Sequence, residues 1–222
     1  MKTEYTQVVP TVLAANREQL AELVAKMEGF TDYVQFDIMD GKFVPSSSIG
    51  YQDLLSLPTN LGWEAHLMVT NPENHIANFS KAGARMVIFH YEATPAPIEI
   101  IAQARHLGMK VGIALNPETP VSPILPLVNE LDMVLFMTVS PGFYGSPFIP
   151  GVLDKIAELK HMAPQTVMGV DGGINEGNIG DIARAGVSVA YVGSAILLQP
   201  EPKASYNRLV RLAQDGSTGR AI

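Results

Sequence analysis

The chain has 222 residues, 47% of them apolar and 17% charged, with no cysteine and a formal net charge of −7. That length and balance allow a compact core without disulfides, and they exclude a disordered chain, a thiolate zinc site and a cysteine nucleophile. The negative charge argues against general nucleic-acid binding, which needs Lys and Arg on phosphates, yet one phosphate can still be held by backbone N–H groups.

In chain order, β-rich runs alternate with helix-length amphipathic ones. A strand pattern over 6–13 leads to a helix over 17–28, in which Leu20, Leu23, Val24 and Met27 form one apolar stripe. Strand 33–38 follows, then a weaker helix over 51–57, strand 62–69, helix 72–82, strand 86–90, helix 97–107 and strand 110–115. The segment 121–129 reads weakly as a helix because Pro123 and Pro126 restrict it. Strand 133–138, helix 150–161, strand 166–171, helix 176–185 and strand 189–193 complete the alternation. Gly83, Gly108 and Gly186 each stand between a helix and a strand, where a left-handed C-cap is expected. No Ser-, Gly- or Pro-rich linker divides the chain, so one domain over 1–214 is expected, with a frayed polar tail over 215–222. The first residues lack the apolar run of a signal peptide, and no stretch is apolar for a membrane-spanning length. A cytoplasmic protein with neither membrane nor nucleic-acid partner is therefore expected.

Eight strands alternating with helices fit either a closed barrel or a doubly wound open sheet. Polar residues decide between them. Asp37, His66, Asn116 and Asp171 all fall at or just beyond the ends of apolar strand runs. A barrel opens every strand's C-terminal end onto one face, where such residues converge, whereas an open sheet would scatter them. The expectation is a single (β/α)8 TIM barrel.

Asp37 and Asp171 each place a carboxylate in a strand-like run, which is costly unless the group is hydrogen-bonded, metal-bound or protonated. Either alone could cap a following turn; two at strand ends of one barrel favour acid–base chemistry. His66 would by itself be a satisfied core histidine, but near two carboxylates it makes a mixed metal site credible. His90 also ends a strand and reads as a supporting or structural residue. Gly142 to Gly145, Gly172-Gly173 and Gly193-Ser194 form turns after the sixth, seventh and eighth strands, where barrels often bind phosphate. Tight turns alone would explain any one of them. Met39, Met68 and Met137 occupy equivalent places on three strands, and core packing is the ordinary reading of methionine.

These residues resemble the ribulose-phosphate 3-epimerase family. The resemblance is carried by Pro10-Thr11-Val12-Leu13, the run from Asp37 to Pro45, His66-Leu67-Met68-Val69, Asn71-Pro72 and His90-Tyr91-Glu92. It continues through the runs from Ala114 to Pro120 and Met137 to Phe143, then Val170-Asp171-Gly172-Gly173 and Gly193-Ser194-Ala195-Ile196. It spans nearly the whole chain in order, though related enzymes acting on ketohexose phosphates share much of it. It implies a (β/α)8 barrel that epimerises a phosphorylated ketose at C3, with D-ribulose 5-phosphate as the usual substrate, in the pentose phosphate pathway. By resemblance, Asp37 and Asp171 exchange protons with opposite faces of C3. Asp37, His66 and Asp171 hold one divalent metal, Zn, Fe or Mn. Met39, Met68 and Met137 wall the intermediate. Thr11, His66, Gly142, Phe143, Tyr144, Gly145, Gly172, Gly173, Gly193 and Ser194 contact the substrate and its phosphate. A homo-oligomer is also implied.

The chain departs from the family pattern at several points. Gln35 stands where the family has a metal histidine, and its neutral amide oxygen is a weak fourth ligand at best. Thr11 replaces a serine, and Tyr144 a glycine of the phosphate turn. Ser140 replaces an asparagine, and Ser146 a glutamine. The competing readings are a weak or inert sugar-phosphate-binding paralogue, a ketohexose-6-phosphate 3-epimerase, and a lyase or decarboxylase, for which Lys42 is the one lysine close to the acids.

Overall fold

The computed structural model describes residues 5–142 and 145–219. Eight parallel strands close in sequence order, with the eighth pairing back onto the first. They are β1 (Gln7–Val12), β2 (Tyr33–Met39), β3 (Gly62–Met68), β4 (Met86–His90), β5 (Lys110–Leu115), β6 (Met133–Met137), β7 (Met168–Asp171) and β8 (Val189–Val192). The helices are α1 (Arg17–Met27), α2 (Tyr51–Leu55), α3 (Ile76–Ala82), α4 (Pro97–His106), α5 (Val152–Met162), α6 (Ile179–Arg184), α7 (Ser194–Leu197) and α8 (Pro202–Thr218). The closed-barrel expectation is met. No described helix is long and apolar enough to cross a membrane.

Local chemistry sets the elements. The Asn16 side chain caps α1 by accepting the Gln19 N–H at 3.0 Å, and Leu20, Leu23, Val24 and Met27 are its buried face. Gly83, Gly108 and Gly186 all adopt positive φ at the helix-to-strand turns, as expected. The pattern over 72–82 divides into a 3-10 turn, Pro72–Asn74, and α3. Ser122–Glu130 is 3-10 throughout, because Pro123 and Pro126 supply no N–H to an α-helical ladder.

Because strand side chains alternate, one set faces the helices and the other fills the barrel. Val34, Phe36, Trp63, Leu67, Phe89, Ile113 and Phe136 belong to the outer core against the helices. Val9, Met86, Ile88, Met133, Leu135 and Tyr191 form the inner plug. Met39, Val44 and Met68 make a third cluster.

Two helices were not expected from the sequence, α7 and the 17-residue α8. The buried side of α8 is Ser205, Leu209, Ala213 and Gly216, too small and polar to read as an apolar stripe. Residues 215–218, expected in a frayed tail, continue this helix. They are held there because Gly216 packs so closely on α6 that a Cβ would lie 2.6 Å from the Gly180 carbonyl oxygen.

Candidate active site

The register between β2 and β3 builds the site in layers: Gln35 pairs with Glu64, Asp37 with His66, and Met39 with Met68. Across the barrel, β6 and β7 pair Met137 with Asp171, and β1 brings Thr11 beside Gln35. Residues far apart in sequence therefore meet at the C-terminal mouth of the barrel.

The two acids meet over His66. Its Nδ1 lies 3.2 Å from Asp37 Oδ1 and 3.4 Å from Asp171 Oδ2. The Thr11 hydroxyl donates to Asp37 Oδ2 at 2.9 Å. Burial pushes the Asp37 carboxyl above the usual carboxylate range, against the hydrogen bond from His66, and the charge of Asp171 adds to the rise. Burial alone would lower the pKa of His66, but its hydrogen bonds to Asp171 and Asp37 outweigh that and hold it at about 9.

Gln35 sits among these groups with no exposed surface. Its Nε2 donates to Asp171 Oδ2 at 3.1 Å, and it lies 3.4 Å from Asp37 Oδ1 and 3.3 Å from Thr11 Oγ1. Its Oε1 is buried without a hydrogen-bond partner. The nitrogen end of the amide, rather than the carbonyl expected of a fourth ligand, faces the acids. Two carboxylates demand donors, so the opposite orientation would be repulsive. One donor atom each from Asp37, His66 and Asp171 lie within 4.8 Å of one another, so this buried group can hold a metal ion.

Above the acids lies a cleft lined by Thr11, Asp37, Met39, Met68, Met137, Gly142, Gly145, Asp171, Gly172, Gly173, Gly193 and Ser194 among others. The structure thus gathers these twelve expected site residues in one place. His66 is the exception among the expected substrate contacts: it is fully buried and does not line the cleft. Phe143 and Tyr144 lie outside the described residues. The described lining contains no Lys or Arg, which leaves backbone N–H groups and hydroxyls to meet an anion. Gly172 and Gly173 have φ values of 116° and 64°. A Cβ on the first would fall 2.4 Å from Val139 Cγ2, and on the second 2.7 Å from the Phe148 nitrogen, so only glycine fits this turn. Thr138 pins it by donating its hydroxyl to the Asp171 and Gly172 carbonyls at 2.9 and 2.6 Å.

Two nearby residues do other work. Asp40 accepts backbone hydrogen bonds from Phe43, Thr70 and Lys42 and one from the Thr70 hydroxyl. Against a desolvation cost, these hold its pKa at about 2, and they fix the loop after β2. Lys42 is exposed and absent from the cleft, which removes the residue on which a lyase reading depended.

Sequence reading missed a buried layer beneath the acids. Glu64 is 1% exposed and accepts from the Tyr33 hydroxyl at 3.0 Å. Burial raises its carboxyl to about 7 against the pull of the Tyr191 and Tyr33 hydroxyls and of His66. The signal was available: Glu64 precedes His66 by two positions on one strand and so shares its inward face. Beside His66, His90 is also fully buried. Burial, with the charge of His66, drives its pKa down to about 4, although Glu92 opposes the shift.

Paired buried acids at the C-terminal mouth of a closed barrel, below a glycine-walled cleft, define a (β/α)8-barrel enzyme site. A family model described as the Ribulose-phosphate 3 epimerase family matches residues 7–197. The chain belongs to that family. It is 37% identical over 212 residues to the ribulose-phosphate 3-epimerase of Mycobacterium tuberculosis, covering 93% of this chain and 92% of the relative. Its identity to the Schizosaccharomyces pombe protein of the same name is 38% over 203 residues, 89% of each chain. For the Bacillus subtilis protein it is 36% over 211 residues, 91% and 97% of the two chains. Among solved structures, 3-hexulose-6-phosphate synthase from Salmonella typhimurium superposes with a TM-score of 0.72 at 17% identity, covering 95% of this chain and 100% of that one. At that identity the likeness speaks for the fold alone.

Proposed function

We propose that this chain epimerises D-ribulose 5-phosphate at C3 by two-base proton transfer between Asp37 and Asp171. The observation that carries the reading is the meeting of these two carboxylates, from β2 and β7, at the floor of one cleft. The named relatives support the choice of a pentose substrate.

Inversion requires one acid to begin ionised and the other protonated, with the roles exchanged in the reverse direction. Asp37 has the environment of a base. Burial makes its carboxylate more basic than a surface one, while His66 and Thr11 keep the ionised form accessible. In the forward direction it accepts the C3 proton, and Asp171 returns a proton to the other face. The thioethers of Met39, Met68 and Met137 line the cleft with groups that have no acidic hydrogen and so cannot quench a carbanionic centre. The backbone at Gly172-Gly173, with Gly142, Gly145, Gly193 and the Ser194 hydroxyl, would take the phosphate.

Two carboxylates and one imidazole suit a divalent cation, Zn2+, Fe2+ or Mn2+, held by Asp37, His66 and Asp171. Such an ion, when bound, supplies Lewis-acid stabilisation of the negative charge that develops on the sugar oxygens. Gln35, through its amide hydrogens, helps hold the two acids together. A cytoplasmic location and a homo-oligomer belong to the same proposal, the second resting on the family alone. The test is incubation of the purified protein with ribulose 5-phosphate in D2O, with each of the three metals added in turn. Deuterium at C3 of substrate and epimer is expected; its absence under all three conditions would refute the proposal.

A further inference from the structure

Thr138 directly follows β6, fully buried and outside the cleft lining. Each of its polar groups is engaged. Its N–H donates to the Asp171 carbonyl at 2.8 Å, and its own carbonyl accepts the Ile149 N–H at 2.8 Å. Its hydroxyl lies 2.6 Å from the Gly172 carbonyl oxygen and 2.9 Å from that of Asp171. A hydroxyl carries one hydrogen, and the Asp171 carbonyl already holds the Thr138 N–H, so the shorter contact to Gly172 takes it.

A trans peptide points its C=O and N–H in opposite directions, and the described residues contain no cis bond. Drawing the Gly172 oxygen to Thr138 therefore turns the Gly173 N–H away from Thr138. Gly173 lines the cleft, and its N–H finds no hydrogen-bond acceptor among the described residues. The next peptide repeats the device. Its Gly173 carbonyl accepts from Asn178 Nδ2 at 2.9 Å and Asn175 Nδ2 at 3.2 Å, and the Ile174 N–H is likewise without an acceptor among the described residues. Something must choose these directions. Glycines stand on both sides of the peptide between Gly172 and Gly173, so it can turn over at little steric cost, and the reversed form would aim a carbonyl oxygen at an anion.

We propose that Thr138 is a positioning residue for the phosphate end of the substrate: its hydroxyl holds the peptide between Gly172 and Gly173 with the N–H toward the cleft. The role rests on the placing of the phosphate at this turn, given above. Thr138 does not line the cleft, so it acts through the turn. Loss of the hydroxyl therefore costs binding more than turnover, because the Thr138 N–H still fastens the Asp171 backbone to β6.

Inorganic phosphate, titrated into the full chain and followed in backbone 1H–15N spectra, tests the role without the sugar. The Gly173 amide should shift as phosphate binds wild type. Thr138→Val keeps the shape but loses the hydroxyl, and should weaken phosphate binding by about tenfold. Thr138→Ser keeps the hydroxyl and should bind nearly as wild type does; Thr138→Ala supplies the hydroxyl-free comparison if valine is not tolerated. With ribulose 5-phosphate, KM of the hydroxyl-free variant should rise by about the same factor while kcat falls far less. A Gly173 amide that phosphate leaves unmoved would overturn the proposal. So would equal phosphate affinity with and without the hydroxyl, or a loss as large in Thr138→Ser. If phosphate binds as expected but wild type puts no deuterium on ribulose 5-phosphate, the epimerase reading fails and the role of Thr138 stands.

Discussion

Glu64→Gln should change how stability depends on pH. The Glu64 carboxyl lies inside the barrel, 1% exposed, and burial moves it from an ordinary value of 4.5 to about 7. The folded state thus holds this proton more tightly than the unfolded chain. Below pH 4.5 both states are protonated, and the favourable contribution is fully present. Between pH 4.5 and about 7 the unfolded chain releases the proton first, so stability falls as pH rises, and above about 7 the contribution is gone. Each tenfold change in acidity is worth about 1.4 kcal/mol, so the whole interval amounts to about 3 kcal/mol. Glutamine keeps the shape and an acceptor for Tyr33 but has no proton to lose. In urea titrations across this range, the stability of the variant relative to wild type should climb by up to about 3 kcal/mol and then level off. A difference that stays flat between pH 4.5 and 7 would refute the assignment of a protonated carboxyl to the barrel interior.

Three other substitutions probe the cleft and the frame. Gln35→His places an imidazole beside the acids and should tighten Zn2+ binding by roughly tenfold or more, measured by equilibrium dialysis; no change would mean that position 35 does not face the cation. Thr11→Val removes the hydroxyl that donates to Asp37 at 2.9 Å. The Asp37 pKa should rise, and the ascending limb of the kcat/KM profile should move toward higher pH by roughly one unit; an unmoved limb would show that Asp37 is not the base being titrated. Gly216→Val forces a side chain against the Gly180 backbone, where a Cβ would already lie 2.6 Å from the carbonyl oxygen. Unfolding in urea should show a loss of about 1–3 kcal/mol, and an unchanged midpoint would contradict the close packing of α6 on α8.

Much of the barrel is legible in the sequence because each strand is an apolar run bounded by turn residues, and each apolar stripe on a helix has a matching inner layer. Where the stripe fails, so does the reading. α8 buries Ser205, Ala213 and Gly216 around a single leucine, and a face of small residues has no hydrophobic signature. Asp37, His66 and Asp171 stand out because ionisable groups at the ends of apolar strands need a reason to be there. Gln35 also stands out, but only as a missing histidine. That its nitrogen faces the acids depends on where both carboxylates sit, and no local sequence pattern holds that information. Likewise, the contact between His66 and His90 joins residues on adjacent strands, and their rings meet only once β3 and β4 are in register.

The most direct test of the two-base account follows the C3 hydrogen in D2O with each acid disabled in turn. With ribulose 5-phosphate and Asp171→Asn, Asp37 can still remove and return a proton on its own face. Deuterium should therefore enter the starting sugar while the C3 epimer fails to appear. With Asp37→Asn, the same sugar should gain no deuterium, and the pattern should reverse when the C3 epimer is the starting material. If either variant forms epimer at the wild-type rate, or if Asp37→Asn labels ribulose 5-phosphate as Asp171→Asn does, then Asp37 and Asp171 are not the pair that serves the two faces of C3.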